Sequence, residues 1–251
     1  MKYSTTAHLR LFCIGGAGQN SFFFAAWRNE FPDEIELCPL ELPGRLRRCR
    51  EQPIDYLPAL ATLLAGELAP LLEIPYAFFG HSMGALIAFE LSRALRKKSF
   101  LPPVQLFASG SPAPQYISRT AFPRMAASDK HFTQQILAIG VLTPEIVVNP
   151  ALLQVILPVL RADFKLCHTY QYTYEPPFHF PISMYYGRQE YWLRNHVIAW
   201  KSLTAGSFKE DGFDGDHHYL RDNFCSSSAK VIELDNSSRK ASYHRLVADS
   251  D

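Results

Sequence analysis

One turn constrains this chain more than any other stretch: Gly80-His81-Ser82-Met83-Gly84. It follows a short apolar run, Pro75-Tyr-Ala-Phe-Phe79. It opens Ala85-Leu-Ile-Ala-Phe-Glu-Leu-Ser-Arg-Ala-Leu95, whose apolar spacing is that of a buried helix. A bare G-x-S-x-G is also what a glycine-rich connection with an incidental serine looks like. Set between a strand and a helix, it has the context of a nucleophile elbow. Such a turn is sharp and strained, so side chains at positions 80 and 84 would collide with neighbouring backbone. The arrangement would hold the Ser82 hydroxyl clear of a sheet, at the positive end of a helix.

Around this turn the chain alternates strands and helices. Apolar runs at 9–14, 35–40, 75–79, 104–109 and 181–186 read as strands, with 208–213 as the last. Residues 56–72 and 85–95 read as helices, as does the aromatic run Phe22-Phe-Phe-Ala-Ala-Trp27. The expected fold class is therefore α/β, a mostly parallel, doubly wound sheet. Active sites in such sheets lie beyond the carboxyl ends of the strands, where Gly15 and Ser82 both fall.

From 113 to 174 the strands stop. Helical stretches are expected at 129–140, 143–147 and 151–174, and we read them as an inserted lid that controls entry and excludes water. The alternative is extra core helices with no gating role. Residues 1–234 form one domain in this reading, and 235–251 a flexible polar tail.

The Gly15-Gly16-Ala17-Gly18 loop lacks the third glycine and the following acidic residue of a dinucleotide fingerprint. It serves better as one side of an oxyanion hole, with backbone N–H groups from Gly15 and from Met83, the residue after the serine. An acyl-transfer serine also needs a histidine base and a carboxylate to orient it, in the chain order serine, acid, histidine. His217, in the loop after the last strand and preceded by Gly215-Asp216, is the candidate base, with His218 its nearest rival. His81 cannot fold back onto the serine from an elbow and is expected to pack or contact a loop. For the acid, Glu190 stands in the loop after the penultimate strand. Asp163 on the last lid helix competes, and Asp216 is a further option. The basic cluster Arg45, Arg47, Arg48, Arg50 is read as structural, with one arginine bridging to a carboxylate such as Glu51. Phe22-Phe-Phe24 is assigned to the core ahead of a pocket wall.

Composition narrows the classes. The 251 residues are 47% hydrophobic, enough for one domain with a substantial core, and the net charge of +1 gives no reason to expect a nucleic-acid partner. The five scattered cysteines show no metal-ligand spacing and read as reduced thiols, Cys13 and Cys38 in the core, in a cytoplasmic protein. No stretch has the length of a membrane span, and no signal-peptide pattern opens the chain.

Taken in order, these motifs resemble the type II thioesterases that accompany nonribosomal peptide and polyketide synthases. The resemblance runs to about residue 232. It rests on Gly15-Gly16, Leu42-Pro-Gly-Arg45, Gly80-His-Ser-Met-Gly84, Ser109-Gly110, Leu157-Pro-Val-Leu-Arg-Ala-Asp-Phe164, Gly187 with its acid loop, and Gly215-Asp-His217. It implies an α/β-hydrolase fold with a helical lid and a triad matching Ser82, Glu190 and His217. It also implies hydrolysis of acyl groups from the phosphopantetheine arm of acyl or peptidyl carrier domains, to clear misprimed or stalled chains, by a monomer with no metal or organic cofactor. The chain departs from the family pattern in having Glu190 where Asp is usual, Cys13-Ile-Gly-Gly-Ala17 where Pro-x-Ala-Gly-Gly is usual, and His218 where an aromatic residue is usual. Other readings on the same motifs are a product-releasing medium-chain acyl thioesterase, a carboxylesterase, and a carrier-binding module with a degraded triad.

Overall fold

A computed structural model describes residues 7–117, 128–190, 194–221, 223, 228 and 231. Residues 235–251 lie outside this set. Among the described residues, six strands form a single sheet in the order β2-β1-β3-β4-β5-β6, every neighbouring pair parallel. They are β1 (Leu9–Ile14), β2 (Ile35–Pro39), β3 (Tyr76–His81), β4 (Gln105–Ser109), β5 (Ile182–Gly187) and β6 (Phe208–Phe213). Each falls where the apolar runs placed it, and the mostly parallel, doubly wound α/β sheet is what the alternation of elements implied.

The side-chain period of two divides each strand between two cores. Phe12, Phe78, Leu106 and Met184 face α1 (Leu57–Leu68) and α2 (Met83–Lys97), packing with Leu60, Leu64, Leu86, Phe89 and Trp200. Leu11, Cys13, Phe79, Phe107 and Tyr185 face the other way, against Phe24, Trp27, Tyr219 and Leu220. The aromatic run is a 3-10 helix, Ser21–Asn29, capped by the Asn20 side chain. Phe24 is fully buried, whereas Phe22 is 72% exposed, so only part of the run belongs to the core.

Between β4 and β5 the described residues hold α3 (Asp129–Ala138), α4 (Pro144–Val147) and α5 (Pro150–Thr169). Phe132, Ile136, Leu142, Leu157, Leu160 and Phe164 give this insertion a small core of its own. Helix α5 ends at Thr169, short of the expected 174, because α2 captures the chain beyond it. Arg93 and Arg96 donate to the Thr173 and Pro176 carbonyls at 2.9 and 2.8 Å, and the Tyr170 hydroxyl bonds Glu90 at 2.7 Å. After β5 comes α6 (Arg194–Ile198), continued by the 3-10 helix Ala199–Leu203.

A buried ion pair ties the insertion to the sheet. Arg45, in the loop after β2, places Nη2 2.5 Å from both oxygens of Asp163 on α5. The same guanidinium donates to the Gln19 carbonyl at 2.9 Å and the Pro43 carbonyl at 3.1 Å. Asp163 Oδ2 also accepts the Gly18 N–H at 2.8 Å. Burial pushes the Asp163 carboxyl up from its ordinary value, and the Arg45 charge and the Gly18 N–H pull back against it. The basic cluster is thus structural, as expected, but divided. Arg48 makes the surface bridges, to Glu51 and Glu67, while Arg45 is a core residue.

The elbow is a second point of close packing. A Cβ at Gly80 would overlap the Gly84 backbone, and one at Gly84 would overlap the Ile14 and Gly15 carbonyl oxygens. Helix α2 therefore meets the end of β1 backbone to backbone.

Two consequences are measurable by thermal or urea unfolding. Gly84→Ala should destabilise the fold by roughly 3 kcal/mol or more, because rigid backbone rather than a side chain must move. Arg45→Met should cost about 3–5 kcal/mol by leaving Asp163 buried and unpaired, and adding Asp163→Leu should recover much of that loss. If the double variant were as unstable as the single, unpaired charge would not be the cause.

Candidate active site

Ser82 stands between β3 and α2 with φ 56° and ψ −119°, one of the few non-glycine residues at positive φ among those described. Such a conformation costs on the order of 1–3 kcal/mol and persists only where the surroundings over-determine it. Here they do so: the Ser82 N–H donates to the Ser109 carbonyl at 2.7 Å, and its own carbonyl accepts from Ala85 at 3.0 Å. As the N-terminal flanking residue of α2, Ser82 makes no side-chain cap, which leaves Oγ directed elsewhere.

It meets His217. The imidazole Nε2 lies 2.9 Å from Ser82 Oγ. On the far side of the ring, Nδ1 is 3.3 Å from Glu190 Oε1, whose side chain is only 3% exposed. Among the described residues neither Glu190 oxygen has a hydrogen-bond partner, so the 3.3 Å approach to the imidazole is a contact of the ion-pair kind. The loop carrying His217 comes this close because Gly187, at the end of β5, has no Cβ. One there would overlap the Asp216 and Gly215 carbonyls.

The other candidates are spent elsewhere. Asp163 is held by Arg45 and Gly18, 118 residues from Arg45 in sequence and with both its oxygens engaged. Asp216 accepts the His218 N–H at 2.7 Å and so closes its own turn. His218 does not reach the serine: its Nε2 lies 3.2 Å from the Ile139 carbonyl, just beyond α3, immediately before the short 3-10 turn Tyr219–Arg221. His81 is buried and bonded to Ser109, a loop-end contact of the kind expected.

In the loop after β1, the N–H groups of Gly16, Gly18 and Gln19 are engaged internally, by Gln19 Oε1, Asp163 and the Gly16 carbonyl. A Cβ at Gly16 would sit 3.3 Å from Ser82 Cβ, so this loop presses directly on the elbow. The N–H of Met83 opens α2 beside it. Above the serine lies an apolar cleft with about 410 Å³ of empty space, its open mouth included. Met83, Leu86, Pro112, Ile117, Phe164 and Cys167 are among the residues that line it, the last two from α5. The Phe22-Phe-Phe24 run takes no part in that lining. No group of three or more His, Cys, Asp or Glu among the described residues is arranged to hold a metal ion. No described helix is long and apolar enough to cross a membrane.

A serine held on strained backbone, with an imidazole on its hydroxyl and a buried carboxylate behind the imidazole, is equipped for acyl transfer. Gly110, to which the sequence reading gave no role beyond its place in the Ser109-Gly110 motif, also shapes the site. Gly110 has φ 55°, and a Cβ there would meet His81 Cε1 at 2.7 Å and Glu190 Oε1 at 3.2 Å.

Comparison with known proteins places the chain in a family. Residues 9–234 match the thioesterase domain family. The gramicidin S biosynthesis protein GrsT of Aneurinibacillus migulanus is 42% identical over 219 residues, 86% of this chain and 85% of its own length. The RedJ thioesterase of the prodiginine pathway in Streptomyces coelicolor superposes with a TM-score of 0.81 at 33% identity, over 90% of this chain and 91% of its own. YbtT, a type II thioesterase from the yersiniabactin NRPS/PKS pathway, superposes with a TM-score of 0.82 at 28% identity, over 93% and 95%. With the matched region spanning every strand of the sheet and the whole Ser82 site, the chain belongs to the thioesterase domain family, with the α/β-hydrolase fold, and is a type II thioesterase, a hydrolase of thioester bonds.

Proposed function

We propose that this thioesterase hydrolyses acyl groups from the phosphopantetheine arm of acyl or peptidyl carrier domains, clearing aberrant or stalled chains from a nonribosomal peptide or polyketide synthase. The observation that carries the chemistry is the 2.9 Å contact of Ser82 Oγ with His217 Nε2, backed by buried Glu190 at 3.3 Å from Nδ1. The setting is supported by relatives whose names place them in gramicidin S biosynthesis and in an NRPS/PKS pathway.

In this reading Ser82 Oγ attacks the thioester carbonyl carbon as His217 Nε2 takes its proton. The carbonyl oxygen becomes an oxyanion received by the N–H groups of Met83 and of the loop after β1, contacts worth ~3 kcal/mol per donor in comparable sites. The neighbouring Gly16, Gly18 and Gln19 amides are engaged elsewhere, so the loop's donor comes from Gly15 or from Ala17, which lines the cleft beside Ser82. Collapse breaks the carbon–sulfur bond, and His217 returns the proton to the pantetheine sulfur, leaving an acyl ester on Ser82. Water then attacks that ester, again with His217 as base, and the free acid leaves. Glu190 keeps the imidazole in the tautomer that accepts at Nε2 and stabilises the imidazolium that forms. The acyl chain lies in the apolar cleft under α5. No step calls on a metal or organic cofactor.

The test is hydrolysis of an acyl-loaded carrier protein, followed by intact mass. Ser82→Ala should form no acyl-enzyme and keep its fold. Glu190→Gln should lower kcat by about 10²–10⁴, since a wrongly held imidazole tautomer costs up to that much in related triads. Asp163→Asn should lower thermal stability while leaving kcat within about tenfold of wild type, a barrier change under ~1.4 kcal/mol. The reverse ranking of Glu190→Gln and Asp163→Asn would move the acid to α5. Wild-type protein that binds carrier and releases nothing would make this a recognition module.

A further inference from the structure

Behind the serine runs a buried polar chain that the acyl-transfer steps above do not use. His81, the last residue of β3, is 1% exposed. Its Nδ1 is 2.9 Å from Ser109 Oγ at the end of β4, and Ser109 Oγ is 2.6 Å from the Tyr219 hydroxyl. Ser109 and Tyr219 are both fully buried. The His81 ring also packs against the His217 imidazole, with centroids 5.2 Å apart at 34°, and the backbone of His217 beside it favours a proton on the ring.

The proton directions follow from the partners. The His217 backbone favours a proton on the ring, so the ring nitrogen on that side carries a hydrogen. Burial, with further push from the charges of His217, His218 and Arg221, holds the ring well below its ordinary value, so at neutral pH it carries one hydrogen only. Nδ1 must then accept from the Ser109 hydroxyl, which in turn accepts from the Tyr219 hydroxyl. Tyr219 remains a phenol because burial raises it well above its usual range.

The chain closes on itself. His217 and Tyr219 sit two residues apart, and the chain meets that segment at both, by packing on the imidazole of one and through the hydroxyl of the other. The grip comes from the ends of β3 and β4, the two central strands of the sheet. Ring packing adds to it: Phe23 stacks on His81 at 6.0 Å, and Tyr219 stacks on Phe213 at 5.2 Å. Gly110 leaves the space that the His81 ring fills.

We propose that His81 is a positioning residue for the catalytic base: anchored through Ser109 and Tyr219, it holds His217 so that Nε2 stays on Ser82 Oγ. This rests on the reading of Ser82 and His217 as nucleophile and base.

The experiment is the rate at which a fluorophosphonate labels Ser82, with thermal melting measured on the same samples. His81→Leu should slow labelling by about 30-fold, given that a misplacement near 1 Å costs on the order of 10². His81→Gln keeps an N–H donor beside the His217 backbone and should return to within about threefold of wild type. Tyr219→Phe removes only the far anchor and should slow labelling about fivefold with the melting temperature nearly unchanged. In a His217→Ala background, His81→Leu should produce no further fall, because its effect runs through His217. An equal fall in both backgrounds, a His81→Gln variant as slow as His81→Leu, or an unaffected Tyr219→Phe would each overturn the proposal. Should His81→Leu fail to fold, the His81→Gln and Tyr219→Phe comparisons still decide. The probe reads serine reactivity alone. Failure to hydrolyse carrier-bound substrate would overturn the editing role and leave this comparison standing, whereas a wild-type Ser82 that did not label would end both.

Discussion

The site depends on one strained backbone position. Ser82 at φ 56° is a conformation an isolated chain would leave at once. It is kept there by contacts with no slack: Gly80 against Gly84, Gly84 against the carbonyls ending β1, and the Ser82 N–H on the Ser109 carbonyl. Each of these is a backbone atom of the sheet or of the helix that packs on it. The hydroxyl is thus aimed by the sheet itself, before any side chain in the site contributes. A nucleophile placed this way loses little by reorganisation during the reaction, which is where preorganised sites gain most of their effect.

A second constraint works over a longer range. Arg45 and Asp163 bring together the loop after β2, the loop after β1 and the helix that roofs the cleft. A buried ion pair is weak support for stability, since desolvation offsets much of its attraction. Its value here is geometric. One guanidinium with a fixed fork satisfies carbonyls of Gln19 and Pro43 together with the carboxylate, and the carboxylate in turn takes the Gly18 N–H. The loop proposed to supply an oxyanion donor and the helix proposed to cover the acyl chain are registered to each other by the same pair. An apolar replacement could match the packing without fixing that register.

What could be read from the residues, and what could not, divides along the same line. The strands were legible because apolar runs and turn punctuation act locally, and the elbow because steric demands on Gly80 and Gly84 leave a fixed spacing. Helix α5 was extended too far because its stop is tertiary: carbonyls at Thr173 and Pro176 are captured by arginines some 80 residues earlier. Arg45 looked like its surface neighbours, since nothing within the cluster distinguishes the arginine that finds a buried carboxylate from Arg48, which finds exposed ones. Asp163 stayed open as an acid because spacing alone does not tell whether its oxygens are free. Phe22 and Phe24 looked alike in sequence, and a 3-10 helix turned one outward and the other into the core.

Glu190 shows how such a departure is absorbed. A glutamate is one methylene longer than the aspartate usual in this family, so either the carboxylate or the imidazole has to retreat. Its oxygen lies where a Cβ at Gly110 would stand 3.2 Å away, and that same Cβ would stand 2.7 Å from the His81 ring. The absent side chain at the end of β4 therefore makes room for two groups together: the longer acid on one side and the buried imidazole on the other. With that space available, the carboxylate can stay buried at 3.3 Å from Nδ1 while Nε2 keeps its 2.9 Å contact with the serine. The Glu190 carboxyl and the His81 ring thus share the space that one glycine leaves. A side chain at that position would press on both groups that flank the His217 ring, so room for a glutamate there depends on the backbone that follows β4 as well as on the loop that carries Glu190.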